Sequence, residues 1–188
     1  MNLPNKLTVL RVVMIPLFLV FLLIKAIPVH YFLALGVFGA ASITDTLDGM
    51  IARKYNLITN FGKFLDPLAD KILVMAAIIA FVELKLVSAL PVIIILAREF
   101  LVTSIRLVAN KNGGKVIAAG MLGKLKTAFT MVAIIVILFL HGLEEVGVNT
   151  GWDILLIGEI LMWLATVLTV ISGIKYIYDY RDQIDPTK

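Results

Sequence analysis

The chain has 188 residues, of which 61% are hydrophobic and 16% charged, with a mean hydropathy of +1.01. A soluble domain is nearer half apolar and a quarter charged, so this is the composition of an integral membrane protein, expected as one domain over residues 1–188. The absence of cysteine excludes disulfides, thiolate metal sites and cysteine nucleophiles, and a net charge of +4 suits an anionic membrane surface or substrate. Nucleic acid is not an expected partner, because apolar spans supply no clustered basic face.

Runs nearly free of charge predict an all-α, polytopic membrane protein with six transmembrane helices. They fall at about 7–24, 29–52, 64–84, 90–110, 124–143 and 153–177. Pro28, the stretches 56–62, 88–91 and 110–114, and Gly147 to Gly151 mark the breaks. The first run ends at Lys25-Ala26-Ile27-Pro28 without a small-x-small cleavage site, so it is read as a retained span. His30 and His141 are expected in loops near the interface, which argues against a histidine-based zinc site. The fourth helix carries Arg98, Glu99 and Arg106 in one half. Charges at that depth must face a polar cavity or one another. Adjacent residues point about 100° apart on a helix, so Arg98 and Glu99 are expected to pair poorly. Arg98 and Arg106, eight positions apart, fall nearer one face. Lys124 and Lys126 point to different faces of the fifth helix, and Lys124 is expected to be the inward one. Glu159 sits alone inside the last span, with Asp153 at its edge, and has no evident role.

Six spans put both termini on one side of the membrane. That side would carry Lys6, Arg11, Arg53, Lys54, Lys63, Lys111, Lys115, Lys124, Lys126, Lys175, Arg181 and Lys188, against Lys25 and Lys85 on the other. Twelve cations against two is a strong positive-inside bias, and it places the termini at the cytoplasmic face of the cell membrane.

The most informative stretch joins the second and third helices. Asp45 and Asp48 are three apart, and Asp66 and Asp70 are four apart, so each pair lies on one face of its helix. Ionisable residues at a membrane edge are costly and mark function. Two helices that each present two carboxylates form a hard-oxygen cage suited to divalent metal, Mg2+ above all. Metals held this way commonly serve phosphate oxygens, which points to displacement at phosphorus.

The stretch reads D-T-L-D-G-M-I-A-R, eight residues, then G-K-F-L-D-P-L-A-D. It resembles the signature D-x2-D-G-x2-A-R-x8-G-x3-D-x3-D of the CDP-alcohol phosphotransferases, at all eight defined positions and every gap. The resemblance implies transfer of a substituted phosphate from a CDP-linked donor to an alcohol, with release of CMP. It implies that Asp45, Asp48 and Asp66 ligate metal, with Mn2+ an alternative to Mg2+. Asp70 would complete the metal site and act as general base. Gly49 and Ala52 would leave room for the donor nucleotide, Arg53 would pair with donor phosphate, Thr59 would contact the donor, and Gly62 would allow a close turn into the third helix.

The N-terminal M-N-L-P-N-K-L-T-V-L-R, the run A-R-E-F-L-V-T-S-I-R and the segment G-K-L-K-T are similar to those of the phosphatidylglycerophosphate synthases within this family. That branch implies a CDP-diacylglycerol donor and a glycerol 3-phosphate acceptor. Pro4, Asn5 and Thr8 would form part of the cytidine pocket. Arg98, Arg106, Lys124 and Lys126 would bind the acceptor phosphate. A homodimer in contact with membrane lipid is the expected assembly.

Other acceptors stay open, because the acidic motif reads only donor and metal. Serine carries no phosphate and leaves the arginines of the fourth helix unexplained, whereas inositol phosphate satisfies them. A divalent cation transporter is the reading from another class. Transporters commonly show internal repeats and broken helices, and neither is evident here. An aromatic prenyltransferase would separate its acidic motifs more widely, and an intramembrane aspartyl protease would need a Gly-x-Gly-Asp motif.

Overall fold

A computed structural model of the chain describes the backbone of residues 3–54, 60–111 and 120–180. It describes side chains at residues 7–44, 68–69, 71–105 and 120–179. Among the described residues there is no strand, and the elements are α1 (Leu3–Leu23), α2 (His30–Lys54), α3 (Asn60–Glu83), α4 (Ala89–Lys111), α5 (Met121–Glu145) and α6 (Ile154–Tyr180). The six expected helices are all present, with ends displaced by up to four residues.

Their sequences explain them. Long runs of Leu, Ile and Val hydrogen-bond their own backbone, the arrangement that apolar surroundings demand. Pro16 sits inside α1 without ending it. Ser88 precedes α4 and Pro91 lies in its first turn, both favoured at a helix start. The α1–α2 link turns at Val29, with φ 50°, and the α5–α6 link at Gly147 and Gly151, with φ 80° and 68°. Glycine meets such angles without strain, whereas a β-branched valine does not.

The helices form two compact units. Unit 1 holds residues 1–84 and 134–154. In it α1 packs on both α2 and α3, and α2 touches α3. Phe18, Leu22, Phe38, Leu73, Ile78, Phe81, Ile137 and Leu138 are fully buried. The rings of Phe18 and Phe38 lie 5.8 Å apart, and Phe32 meets Phe139 edge-on at 6.0 Å. Unit 2 holds residues 85–133 and 155–188. In it Val102 of α4 packs with Tyr176 of α6, flanked by Ile105.

The chain is a membrane protein by composition and by surface. Helices α5 and α6 are long and apolar enough to cross a bilayer, and 7–23 and 30–44 are shorter apolar stretches. Along α6, Leu156, Ile160, Leu164, Val167, Ile171 and Ile174 all stand exposed. A contiguous apolar face of that size is a lipid or protein contact rather than a wet surface.

Both histidines lie in helices, inside the expected spans and not in the loops expected for them. His30 is the first residue of α2 and His141 lies inside α5, and both side chains are buried. The reason is a tertiary cap. Glu145, at the end of α5, accepts the backbone N–H of His30 at 3.0 Å and that of Tyr31 at 3.3 Å. A carboxylate at a helix N-terminus satisfies orphan donors and opposes the helix dipole. Tyr31 packs between the histidines, 4.1 Å from the His30 ring and 5.3 Å from that of His141.

Candidate functional site

The motif divides between two helices of unit 1. Asp45, Asp48, Gly49, Ala52 and Arg53 lie in the C-terminal part of α2, and Gly62, Asp66 and Asp70 in the N-terminal part of α3. Gly62 therefore falls in the first turn of α3 rather than ahead of it. Thr59 and the side chains of these motif residues lie outside what the structure describes. Six residues separate α1 from α2 and five separate α2 from α3, and helices so close in sequence run antiparallel when they pack together. The start of α1, the end of α2 and the start of α3 therefore share one end of unit 1.

Pro4, Asn5 and Thr8 belong to that end of α1. Thr8 is almost fully buried, and the side chains of Pro4 and Asn5 lie outside the described residues. Arg11, expected as a flanking charge, is fully buried one turn further along α1. Among the described residues no group of three His, Asp or Glu side chains is arranged to hold a metal, which leaves the motif as the candidate. Its four carboxylates are hard oxygen donors of the kind that Mg2+ and Mn2+ take.

The second set of candidates lies in unit 2, where the structure reveals a charge cluster. Arg98 donates from Nη1 to Glu99 Oε1 at 3.0 Å and from Nη2 to Ser172 Oγ at 2.9 Å. Lys126 Nζ forms a close ion pair with the same Glu99 oxygen. The side chains of Arg98, Glu99 and Lys126 are 13%, 15% and 11% exposed, so the cluster is largely out of solvent.

Two expectations are overturned here. Arg98 and Glu99 do pair, although they are neighbours in sequence. Their long side chains reach one another because Lys126 on α5 fixes the carboxylate and Ser172 on α6 fixes the guanidinium. Lys126, not Lys124, is the inward lysine. Lys124 is exposed and lines a shallow cavity of about 400 Å3 with Gly123, Thr127, Ala128 and Met131. The two do point to different faces, as the spacing requires. Arg106 lies on α4, its side chain outside the described residues.

Ser172 and Gly173 were not singled out from the sequence, and Glu99 was named only as a poor partner for Arg98. Glu99 bridges two cations. Ser172 accepts from Arg98 and donates to the Thr169 carbonyl at 3.0 Å. Gly173 makes room: a Cβ there would lie 3.0 Å from Arg98 Cγ and 3.3 Å from its Nε. The adjacent Ser172 and Gly173 thus form a seat on α6, a small-residue pair that was the one available signal. Glu159 is not isolated either. It accepts from the Ser88 backbone N–H at 2.8 Å, from the Ser88 hydroxyl, and from Trp163 Nε1 at 2.9 Å. It closes the start of α4, in the manner of the acidic member of a capping box.

Comparison with known proteins adds an independent line. The family model described as CDP-alcohol phosphatidyltransferase matches residues 1–171. A Bacillus subtilis protein named CDP-diacylglycerol--glycerol-3-phosphate 3-phosphatidyltransferase is 44% identical over 186 residues, covering 93% of each chain. A Rickettsia bellii protein of the same name is 42% identical over 177 residues, again with 93% of each covered. A Mycobacterium tuberculosis protein named probable phosphatidylglycerophosphate synthase is 39% identical over 184 residues, covering 94% of this chain and 80% of its own length.

Proposed function

Because the chain belongs to the CDP-alcohol phosphatidyltransferase family, we propose that it transfers a phosphatidyl group from CDP-diacylglycerol to glycerol 3-phosphate, giving phosphatidylglycerophosphate and CMP. The observation that carries this reading is the pairing of two features. The eight-position motif is complete, and relatives bearing that activity's name match along nearly the whole chain.

In this reading Asp45, Asp48, Asp66 and Asp70 hold a divalent metal, Mg2+ or Mn2+. Bound there, the metal neutralises charge on the phosphates and eases displacement at phosphorus. Asp70 takes the proton from the acceptor hydroxyl. The hydroxyl oxygen forms the new bond to phosphorus, and the bond from phosphorus to the CMP oxygen breaks. Arg53 holds the donor phosphate, with a planar guanidinium suited to two oxygens at once. Gly49 and Ala52 leave space for the nucleotide, Thr59 contacts the donor, and Gly62 allows a close turn at the start of the third helix. Pro4, Asn5 and Thr8 form the cytidine pocket. Arg98, Arg106 and Lys126 serve the phosphate of the acceptor, while the exposed Lys124 does not share the face of Lys126. Arg98 and Lys126 lie together on one carboxylate, largely out of solvent, and cations at such a depth mark functional sites, which supports this.

Residues 1–188 act as one catalytic domain with six spans, a homodimer in the cell membrane, both termini and the motif at the cytoplasmic face. The lysine and arginine bias supports that orientation, and the exposed apolar faces of α1 and α6 support the spans.

The test is CMP release by purified protein in detergent, with CDP-diacylglycerol and Mg2+, against glycerol 3-phosphate, serine and inositol phosphate. Release with glycerol 3-phosphate alone is expected. Release with another alcohol would keep the metal site and overturn the acceptor assignment. Asp66→Asn and Asp70→Asn should each abolish release, by at least about a hundredfold, while the protein stays folded. Full activity in either variant removes the metal-site assignment.

A further inference from the structure

The cluster in unit 2 poses a question that acceptor binding does not answer: why does a carboxylate sit on the cations meant for a phosphate? Glu99 Oε1 takes both Arg98 Nη1 and Lys126 Nζ, so one oxygen serves two positive groups. The arrangement joins α4 to α5 directly, and to α6 through Ser172 and the gap at Gly173. A buried ion cluster is a poor way to gain stability, because desolvation offsets the attraction and apolar residues of similar volume do as well. A purely structural stitch is therefore a weak account of Glu99.

The chemistry of the partners suggests exchange. A phosphate ester carries nearly two negative charges at neutral pH and three strong acceptor oxygens. It can give each cation an oxygen of its own, which the shared Oε1 does not. A carboxylate carries one charge, enough to hold the cations in register when no acceptor is bound and weak enough to be displaced.

We propose that Glu99 is the resident anion of the Arg98–Lys126 pair, releasing Lys126 and the Arg98 Nη1 position to the acceptor's phosphate and thereby setting acceptor affinity. Glu99 is a positioning residue here. It touches the cations, not the reacting atoms. The proposal deepens the acceptor assignment above and rests on it. It also supplies a reason for selectivity: an uncharged alcohol offers nothing to displace the carboxylate, whereas a phosphate-bearing one does.

The experiment is steady-state kinetics of Glu99→Gln in detergent, varying glycerol 3-phosphate at saturating CDP-diacylglycerol and then the reverse. Glutamine keeps the shape and removes the charge. KM for glycerol 3-phosphate should fall roughly tenfold, the scale of one lost competing charge-assisted bond, with KM for CDP-diacylglycerol unchanged. Inorganic phosphate should raise the melting temperature of Glu99→Gln more than that of the parent protein. A raised KM would mean that Glu99 only holds the cations in place, and unchanged KM with a lowered melting temperature would mean a structural stitch. Either overturns the proposal. If Glu99→Gln does not fold, Glu99→Asp decides, since drawing the charge back by one methylene should lower the same KM by a smaller factor. A Lys126→Gln control separates the two readings. If it leaves the KM for glycerol 3-phosphate untouched, the acceptor assignment fails; if it raises that KM while Glu99→Gln does not lower it, only the exchange proposal fails.

Discussion

Gly173 shows how much can depend on an absent side chain. Arg98 crosses α6 where a Cβ at position 173 would stand 3.0 Å from its Cγ. Alanine there asks a flexible side chain to give by a few tenths of an ångström. Valine asks for more than the seat can yield, and it would push the guanidinium off Ser172 Oγ, now 2.9 Å away. Gly173→Val should therefore raise KM for glycerol 3-phosphate by about tenfold, the cost of one charge-assisted hydrogen bond, with a smaller effect in Gly173→Ala. Initial rates against acceptor concentration check this, and an unchanged KM would remove Arg98 from the acceptor's surroundings. The motif aspartates could be proposed from the sequence because their pattern is carried by spacing along single helices. The seat for Arg98 was not, because Ser172 lies 74 positions away.

Between helices, unit 1 depends on a close approach of the same kind. A Cβ on Gly142 of α5 would lie 3.0 Å from the Phe32 ring of α2. The same ring also meets Phe139, one turn earlier on α5, edge-on at 6.0 Å, which limits how it can shift. Gly142→Ala should lower stability by about 1–3 kcal/mol through overpacking, although alanine is the better helix former. Thermal denaturation in detergent reads this directly, and a raised melting temperature would contradict the packing argument. The contact lies beside the Glu145 cap on α2 and the Tyr31–His141 ring contact, and together they hold the end of α5 to the start of α2. Glu159 plays the comparable part in unit 2, where it meets Ser88 ahead of α4. Helix existence was readable from apolar runs. Their ends were readable to within a few residues, but that a carboxylate from a distant helix caps the start of α2 was not.

For the molecule as a whole, the proposed orientation makes a simple prediction. The chain has no cysteine, so a single introduced cysteine is a clean reporter. A cysteine in place of Lys188 should be labelled only from the cytoplasmic side, and one in place of Asn149 only from the other, as the lysine and arginine bias requires. Asn149 is suited to this because it lies on the exposed α5–α6 link, where its Oδ1 accepts the Gly151 N–H at 2.9 Å. Labelling of both from one side would overturn the six-span arrangement.

Composition and the spacing of apolar runs gave a helical membrane protein and its six helices from local order alone, and the eight-position motif pointed to its family. These signals repeat every few residues, so they survive without knowledge of packing. Which lysine of α5 turns inward, what Glu99 and Glu159 hold, and why two histidines are buried depended on partners far along the chain. A side chain's charge is written in its codon, but its partner is set by which helices pack, and helices of nearly uniform hydrophobicity carry little local record of that choice.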